Sequence, residues 1–171
     1  MPEPLQPAVP RVLEVDVVED DGDWSALADA KTLIEQAVAA IAREMGGGKG
    51  AGAIAVALSS DAGVEVLNGQ FRGKPTPTNV LSFPAGEGAP DGFVGDVILA
   101  AETVRREADE QGVPLAHHVQ HLVVHGILHL FGYDHISAAD AELMEAIEIS
   151  ILSKLGVANP YTGAQETGTN D

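Results

Sequence analysis

His125-Gly126-Ile127-Leu128-His129-Leu130-Phe131-Gly132-Tyr133-Asp134-His135 is the stretch on which the rest of the chain turns. Residues four apart on a helix share a face, so His125 and His129 can aim two imidazoles at one ion. Gly132 follows three residues after the second histidine, where helices commonly end in a left-handed residue that suits glycine. A turn there brings His135 back towards the same point. Three neutral imidazoles at about 2.0–2.1 Å hold Zn²⁺ and leave a fourth tetrahedral position open, as catalytic zinc sites do. A lone His-x3-His pair is more often a solvated cluster at a helix end. The third histidine and the intervening glycine favour the metal.

The spacing matches the metzincin pattern H-E-x-x-H-x-x-G-x-x-H, except that Gly126 stands where those proteases carry glutamate. That glutamate is the general base of peptide hydrolysis. Its absence demotes a zinc peptidase to an alternative and keeps metal-assisted hydrolysis in general.

Composition narrows the field further. A chain of 171 residues is expected to form one domain with its own core. It has no cysteine, so a transition metal must sit on nitrogen and oxygen ligands. Met1 to Pro10 lacks the basic and apolar regions of a signal peptide, and no apolar run approaches the roughly 20 residues of a membrane span. A soluble cytoplasmic protein without membrane contact is the expectation. The net charge of −17 opposes any large polyanion, because nucleic-acid binding ordinarily rests on a basic footprint. Affinity for a nucleic acid must then come from a local basic patch, a metal or a larger assembly.

In chain order, residues 1–10 read as a disordered arm. Arg11 to Val18 alternates as a first strand. Glu19 to Asp23 is a solvated acidic turn, and a helix is expected from near Ser25, stopped by Gly46-Gly47-Gly48. Ala53 to Leu58 suits a strand buried on both faces. Ser59-Ser60-Asp61 caps a short helix through Val64, Val66 and Leu67. A Gly/Pro-punctuated loop follows, carrying Arg72 and Lys74, and Asn79 to Phe83 forms a strand closed by Pro84. Phe93 to Leu99 is another strand. Within it Asp96 is either a partner of the site's ligands or a strand-end residue facing solvent. A charged helix spans Ala101 to Gln111.

Pro114 fits the first turn of the next helix, which runs to Phe131. His118, His121, His125 and His129 lie in one arc of it. His121 is read as supporting the site, whereas for His118 a site wall and an exposed polar position are both open. Ser137-Ala138-Ala139-Asp140 resembles a capping box opening a last helix, on which Glu142, Glu145 and Glu148 are read as the wet face. Residues 159–171 read as a disordered tail, leaving 11–158 as a single metallohydrolase domain.

Four stretches together resemble the YbeY family of rRNA maturation factors. They are Phe71-Arg72-Gly73-Lys74, Pro77-Thr78-Asn79-Val80-Leu81-Ser82-Phe83-Pro84, Gly95-Asp96-Val97, and the histidine run from His118 to His135. The resemblance covers roughly residues 11–160. It implies one α/β (α+β-like) domain: a small mixed four-stranded sheet flanked by about five helices, with the metal site at the C-terminal end of a central helix. It also implies one Zn²⁺ per chain, or another divalent transition metal, on His125, His129 and His135. Arg72 would be the basic residue facing the metal, with Lys74 assisting and Asp134 beside a ligand. The implied activity is single-strand-specific endoribonuclease cleavage in 16S rRNA 3′-end maturation and ribosome quality control. The implied partners are single-stranded rRNA, small-subunit ribosomal proteins and assembly factors, with no DNA. A non-catalytic assembly factor with a structural metal is the remaining alternative. Two positions depart from the family's common pattern: Phe71 replaces a tyrosine and Pro75 an acidic residue, which leaves Lys74 freer to meet phosphate.

Overall fold

Pro10–Glu19 (β1), Gly48–Ser59 (β2), Val80–Pro84 (β3) and Phe93–Ala100 (β4) form one sheet in the order β1-β2-β4-β3. The first three neighbours run parallel and β3 returns antiparallel to β4 along an edge. Among the described residues five helices accompany the sheet: Ala30–Met45 (α1), Asp61–Arg72 (α2), Ala101–Gln111 (α3), Leu115–Leu130 (α4) and Ala138–Lys154 (α5). In this computed structural model, residues 9–73, 78–134 and 136–161 are described, apart from the side chain of Arg72. The mixed four-stranded sheet with five helices is the expected architecture.

The sheet divides the apolar residues into two unequal sets. On one face Ile54, Val56, Leu58, Val97 and Leu99 share a core with Ile34 and Ile41 of α1 and Val123 and Ile127 of α4, and α5 packs on those two helices, adding Met144 and Ile151. On the other, Ile98, Ala100 and Leu81 form a smaller cluster with Val64 of α2, flanked by Ala57, Leu67 and Phe83. Strand alternation makes this split, since successive side chains of β4 point to opposite faces.

Helix α4 crosses the larger face and is buried nearly all round. From His118 onward its only positions not fully buried are His121, His125 and His129. Its approach to the sheet is set by Gly126: a Cβ there would lie 2.9 Å from Val97 Cγ1 and 3.1 Å from Ser82 Oγ. Ser82 Oγ donates to the Gly126 carbonyl at 2.9 Å, so edge strand and helix are also joined by a hydrogen bond. The helix ends as expected. Gly132 has φ 98°, its N–H donates to His129 O, and Tyr133 N–H donates to Leu128 O, the paired pattern of a Schellman cap.

Several boundaries differ from the sequence reading. Helix α1 begins at Ala30 rather than Ser25, because Asp23 accepts from both the backbone and the hydroxyl of Ser25 and holds a turn. The acidic turn is anchored, not merely solvated: Trp24 is buried and donates to Ser59 O, and Ser60 Oγ donates to Asp21. Helix α2 continues through Phe71 to Arg72, where a loop was expected. Gly73 caps it at φ 70°, and Phe71 packs edge-on against Phe83 at 5.4 Å. Pro114 is the N-cap of α4 and not part of its first turn. Val9 is buried and Pro10 begins β1, although both were assigned to the arm.

Candidate metal centre

Two turns at the C-terminal end of α4 bring His125 and His129 together. Their Nε2 atoms stand 3.1 Å apart. Two imidazoles at about 2.0–2.1 Å in a tetrahedral shell would place their nitrogens about 3.3–3.4 Å apart, so the pair fits one cation with a shift of a few tenths of an ångström. The other ring nitrogen of His125 is taken: Nδ1 lies 2.6 Å from Glu148 Oε2. A carboxylate only accepts, so Nδ1 carries the hydrogen and Nε2 is the acceptor nitrogen. That is the tautomer a metal requires, reached through a carboxylate behind the ring as in many zinc sites.

Glu148 has no solvent exposure, which corrects its assignment to the wet face of α5. The helical period shows why. Residue 148 follows Met144 by four and precedes Ile151 by three, and Met144, Ile151 and Leu152 are all buried. It sits in the middle of the apolar face, turned towards α4. Burial alone would raise its carboxyl, but His121 and His125 outweigh that and bring it down to about 2. Its second oxygen accepts from the Tyr161 hydroxyl, and His121 Nε2 lies 3.4 Å from the same oxygen. Tyr161 was assigned to a disordered tail. It packs edge-on against His121, its ring centroid 5.6 Å away, and its hydroxyl is held well above the ordinary phenol range by burial and by Glu148.

The remaining expected site residues are distributed unevenly. His121 stands beside Glu148, which itself bonds His125. His118 is buried against α3 and bonds Glu107 Oε1 at 2.8 Å, an oxygen that also accepts from Asn79 Nδ2 at 3.0 Å. It is thus neither site wall nor exposed surface. Asp134 Oδ1 accepts from Ile136 N at 3.2 Å. Asp96 is not with the histidines: it alternates with Val97 and faces the side of the sheet covered by α2. His135, Lys74 and the side chain of Arg72 lie outside the described residues. Glu148 and Tyr161 are the members that sequence reasoning missed. For Glu148 the signal was its place between Met144 and Ile151.

The sequence profile of the endoribonuclease YbeY family matches residues 18–156. The chain is 48% identical over 147 residues to the endoribonuclease YbeY of Maricaulis maris, covering 86% of this chain and 91% of that one. It is 47% identical over 159 residues to that of Rhodopseudomonas palustris strain BisB18, covering 90% and 94%. In fold it is similar to the solution structure of TM1509 from Thermotoga maritima, with a TM-score of 0.50 and 24% identity over 91% of this chain and 99% of that one. With the profile spanning most of the domain and relatives close to half identical along nearly their full length, the chain belongs to the endoribonuclease YbeY family.

Proposed function

We propose that this endoribonuclease is metal-dependent and cleaves single-stranded rRNA, in maturation of the 16S 3′ end and in ribosome quality control. The observation that carries the metal is the pair of imidazole nitrogens 3.1 Å apart, one ring held from behind by a fully buried carboxylate. Zinc is the ion proposed, one per chain on His125, His129 and His135, with other divalent transition metals competing for the same nitrogens. When bound it supplies Lewis acidity towards a phosphoryl oxygen or an activated water.

The chain's own residues do the rest. His125 and His129 hold their rings rigidly because α4 is buried around them and Glu148 fixes one tautomer. Arg72, always protonated and planar, is proposed to fork onto phosphate oxygens, and Lys74 to add a point charge there. Asp134, next to His135 in sequence and bonded to Ile136 N, is proposed to orient the third ligand. The glutamate position of the peptidases is occupied by Gly126, where even a methyl group would press on Val97. Peptide cleavage therefore has no support from this site.

A net charge of −17 limits attraction to naked RNA, so the substrate is proposed to be presented within a small-subunit assembly of ribosomal proteins and assembly factors. Cytoplasmic action is part of the same proposal; among the described residues no helix is long and apolar enough to cross a membrane. The test offers zinc-loaded protein single-stranded RNA and unfolded protein side by side, with a chelator arm and an identically purified His129→Ala. Chelator-reversible cleavage of RNA alone, lost in the variant, is expected. Cleavage of peptide, or RNA cleavage that survives both chelator and substitution, would overturn the proposal.

A further inference from the structure

Glu148 and Tyr161 come from different places to one point. Glu148 is on α5, and Tyr161 lies beyond the end of that helix, where its backbone N–H donates to Asn159 Oδ1 at 2.8 Å. Both carboxylate oxygens are engaged: Oε2 by His125 Nδ1, and Oε1 by the Tyr161 hydroxyl with His121 alongside. A carboxylate with no exposure can turn only by giving up these partners, and a buried charge without them is costly.

We infer that Glu148 and Tyr161 are positioning residues that lock His125 as its Nε2-accepting tautomer, so that the segment after α5 is part of the metal centre. The inference rests on the metal reading above for its consequence, but its geometry does not depend on a metal. Tyr161 orients Glu148, and Glu148 orients His125. With the ring's hydrogen held on Nδ1, the acceptor lone pair of Nε2 points towards His129. Without the carboxylate, the neutral ring is free to carry its hydrogen on either nitrogen, and the fraction with hydrogen on Nε2 cannot bind an ion there.

The experiment has two readouts on the full chain. The first is zinc affinity by competition with a chromophoric chelator. The second is the tautomer of His125 in the metal-free protein, from the ¹⁵N shifts of its ring. Glu148→Gln should weaken zinc binding about 10- to 100-fold, the range for partners behind metal-bound histidines. Tyr161→Phe should weaken it by a smaller factor, about 3- to 10-fold, because one hydrogen bond to the carboxylate is lost but the carboxylate remains. Metal-free wild type should show His125 with its hydrogen on Nδ1, and Glu148→Leu should show a tautomer mixture.

Wild-type binding with both Glu148→Gln and Tyr161→Phe within twofold of it would overturn the inference while leaving the metal reading intact. Absence of zinc binding in wild type would instead overturn the metal reading. The ring shifts would still decide the inference in that case: Nδ1–H supports the lock and Nε2–H sinks it. Should the Glu148 variants fail to fold, Tyr161→Phe and the wild-type ring shifts carry the same decision.

Discussion

Helix α4 carries two histidine–glutamate pairs about two turns apart, and they are built in opposite senses. In one, Glu107 takes His118 by Nε2, the nitrogen at the tip of the ring, and Asn79 fills the same carboxylate oxygen. In the other, Glu148 takes His125 by Nδ1, the nitrogen nearer the backbone, and leaves Nε2 towards His129. Both carboxyls are held below their ordinary range, each against the opposing effect of burial: Glu107 by His118 and Asn79, Glu148 by His121 and His125. The chemical parts are the same. What separates a structural tie between α3, α4 and the start of β3 from a candidate metal ligand is which ring nitrogen the carboxylate occupies.

The sharpest way to break this comparison is to replace each histidine by glutamine. His125→Gln should cost zinc affinity at least the roughly 100-fold that marks the upper end for partners behind the ligands, since it removes a ligand itself. His118→Gln should leave zinc affinity within twofold. Chelator competition reads both, and equal losses would mean that His118 and His125 are equivalent and not of two classes.

Next in size is the contact that places His125. Adding a methyl group at Gly126 would set it 2.9 Å and 3.3 Å from the two γ-carbons of Val97. Overpacking of this kind costs about 1–3 kcal/mol, only partly offset by the better helix propensity of alanine, about 1 kcal/mol. Gly126→Ala should therefore lower stability by up to about 2 kcal/mol and weaken zinc binding with it, as α4 lifts beside His125. A urea midpoint unchanged from wild type would show that the sheet gives way freely there.

The Glu107 pair makes a smaller, pH-dependent contribution. Its folded carboxyl titrates below the unfolded value, so the stabilisation is present above that value and is lost as pH falls through the depressed folded one. Asn79→Ala removes one of the two hydrogen bonds responsible and should cost about 1 kcal/mol at pH 7, the charge-assisted bond being discounted for partial exposure. The difference between variant and wild type should shrink as the midpoints are measured towards pH 3. A gap that stays constant with pH would mean that Asn79 acts by packing alone.

How far the sequence foretold these pairs depends on the period of each element. The His125–His129 juxtaposition and the Gly132 cap were legible because helix geometry and the left-handed glycine are local facts. The architecture followed from the resemblance and from strand alternation. Glu148 was misread although its register was visible: charge suggested solvent, while its position between Met144 and Ile151 required burial. Tyr161 and the Glu107–His118–Asn79 tie were illegible for another reason. They join residues 13, 11 and 28 positions apart across elements whose packing no local pattern encodes. Gly/Pro punctuation makes the C-terminal part of α2 read as loop, yet the Gly73 cap and the Phe71–Phe83 contact extend the helix through Gly69 to Arg72.

A third carboxylate supplies the control that the two pairs lack. Asp96 is half-buried on β4 opposite Phe83 and Ala55, without a hydrogen-bond partner among the described residues, and burial pushes its carboxyl up. No imidazole outweighs the burial here, so the sign is reversed. A raised folded value means that the native state holds the proton more tightly than the unfolded chain does. Stability is then greatest below the unfolded value of 3.8 and falls as pH rises through the raised one. At neutral pH the charge is a cost, and Asp96→Asn should raise stability by a few tenths to about 1 kcal/mol, an advantage that disappears in acid. Because Asp96 faces α2 and not α4, zinc affinity should stay at the wild-type value. A variant that is less stable at pH 7, or that binds zinc more weakly, would mean that Asp96 serves the histidines after all, and that a carboxylate need not lie behind a ring to matter to the metal.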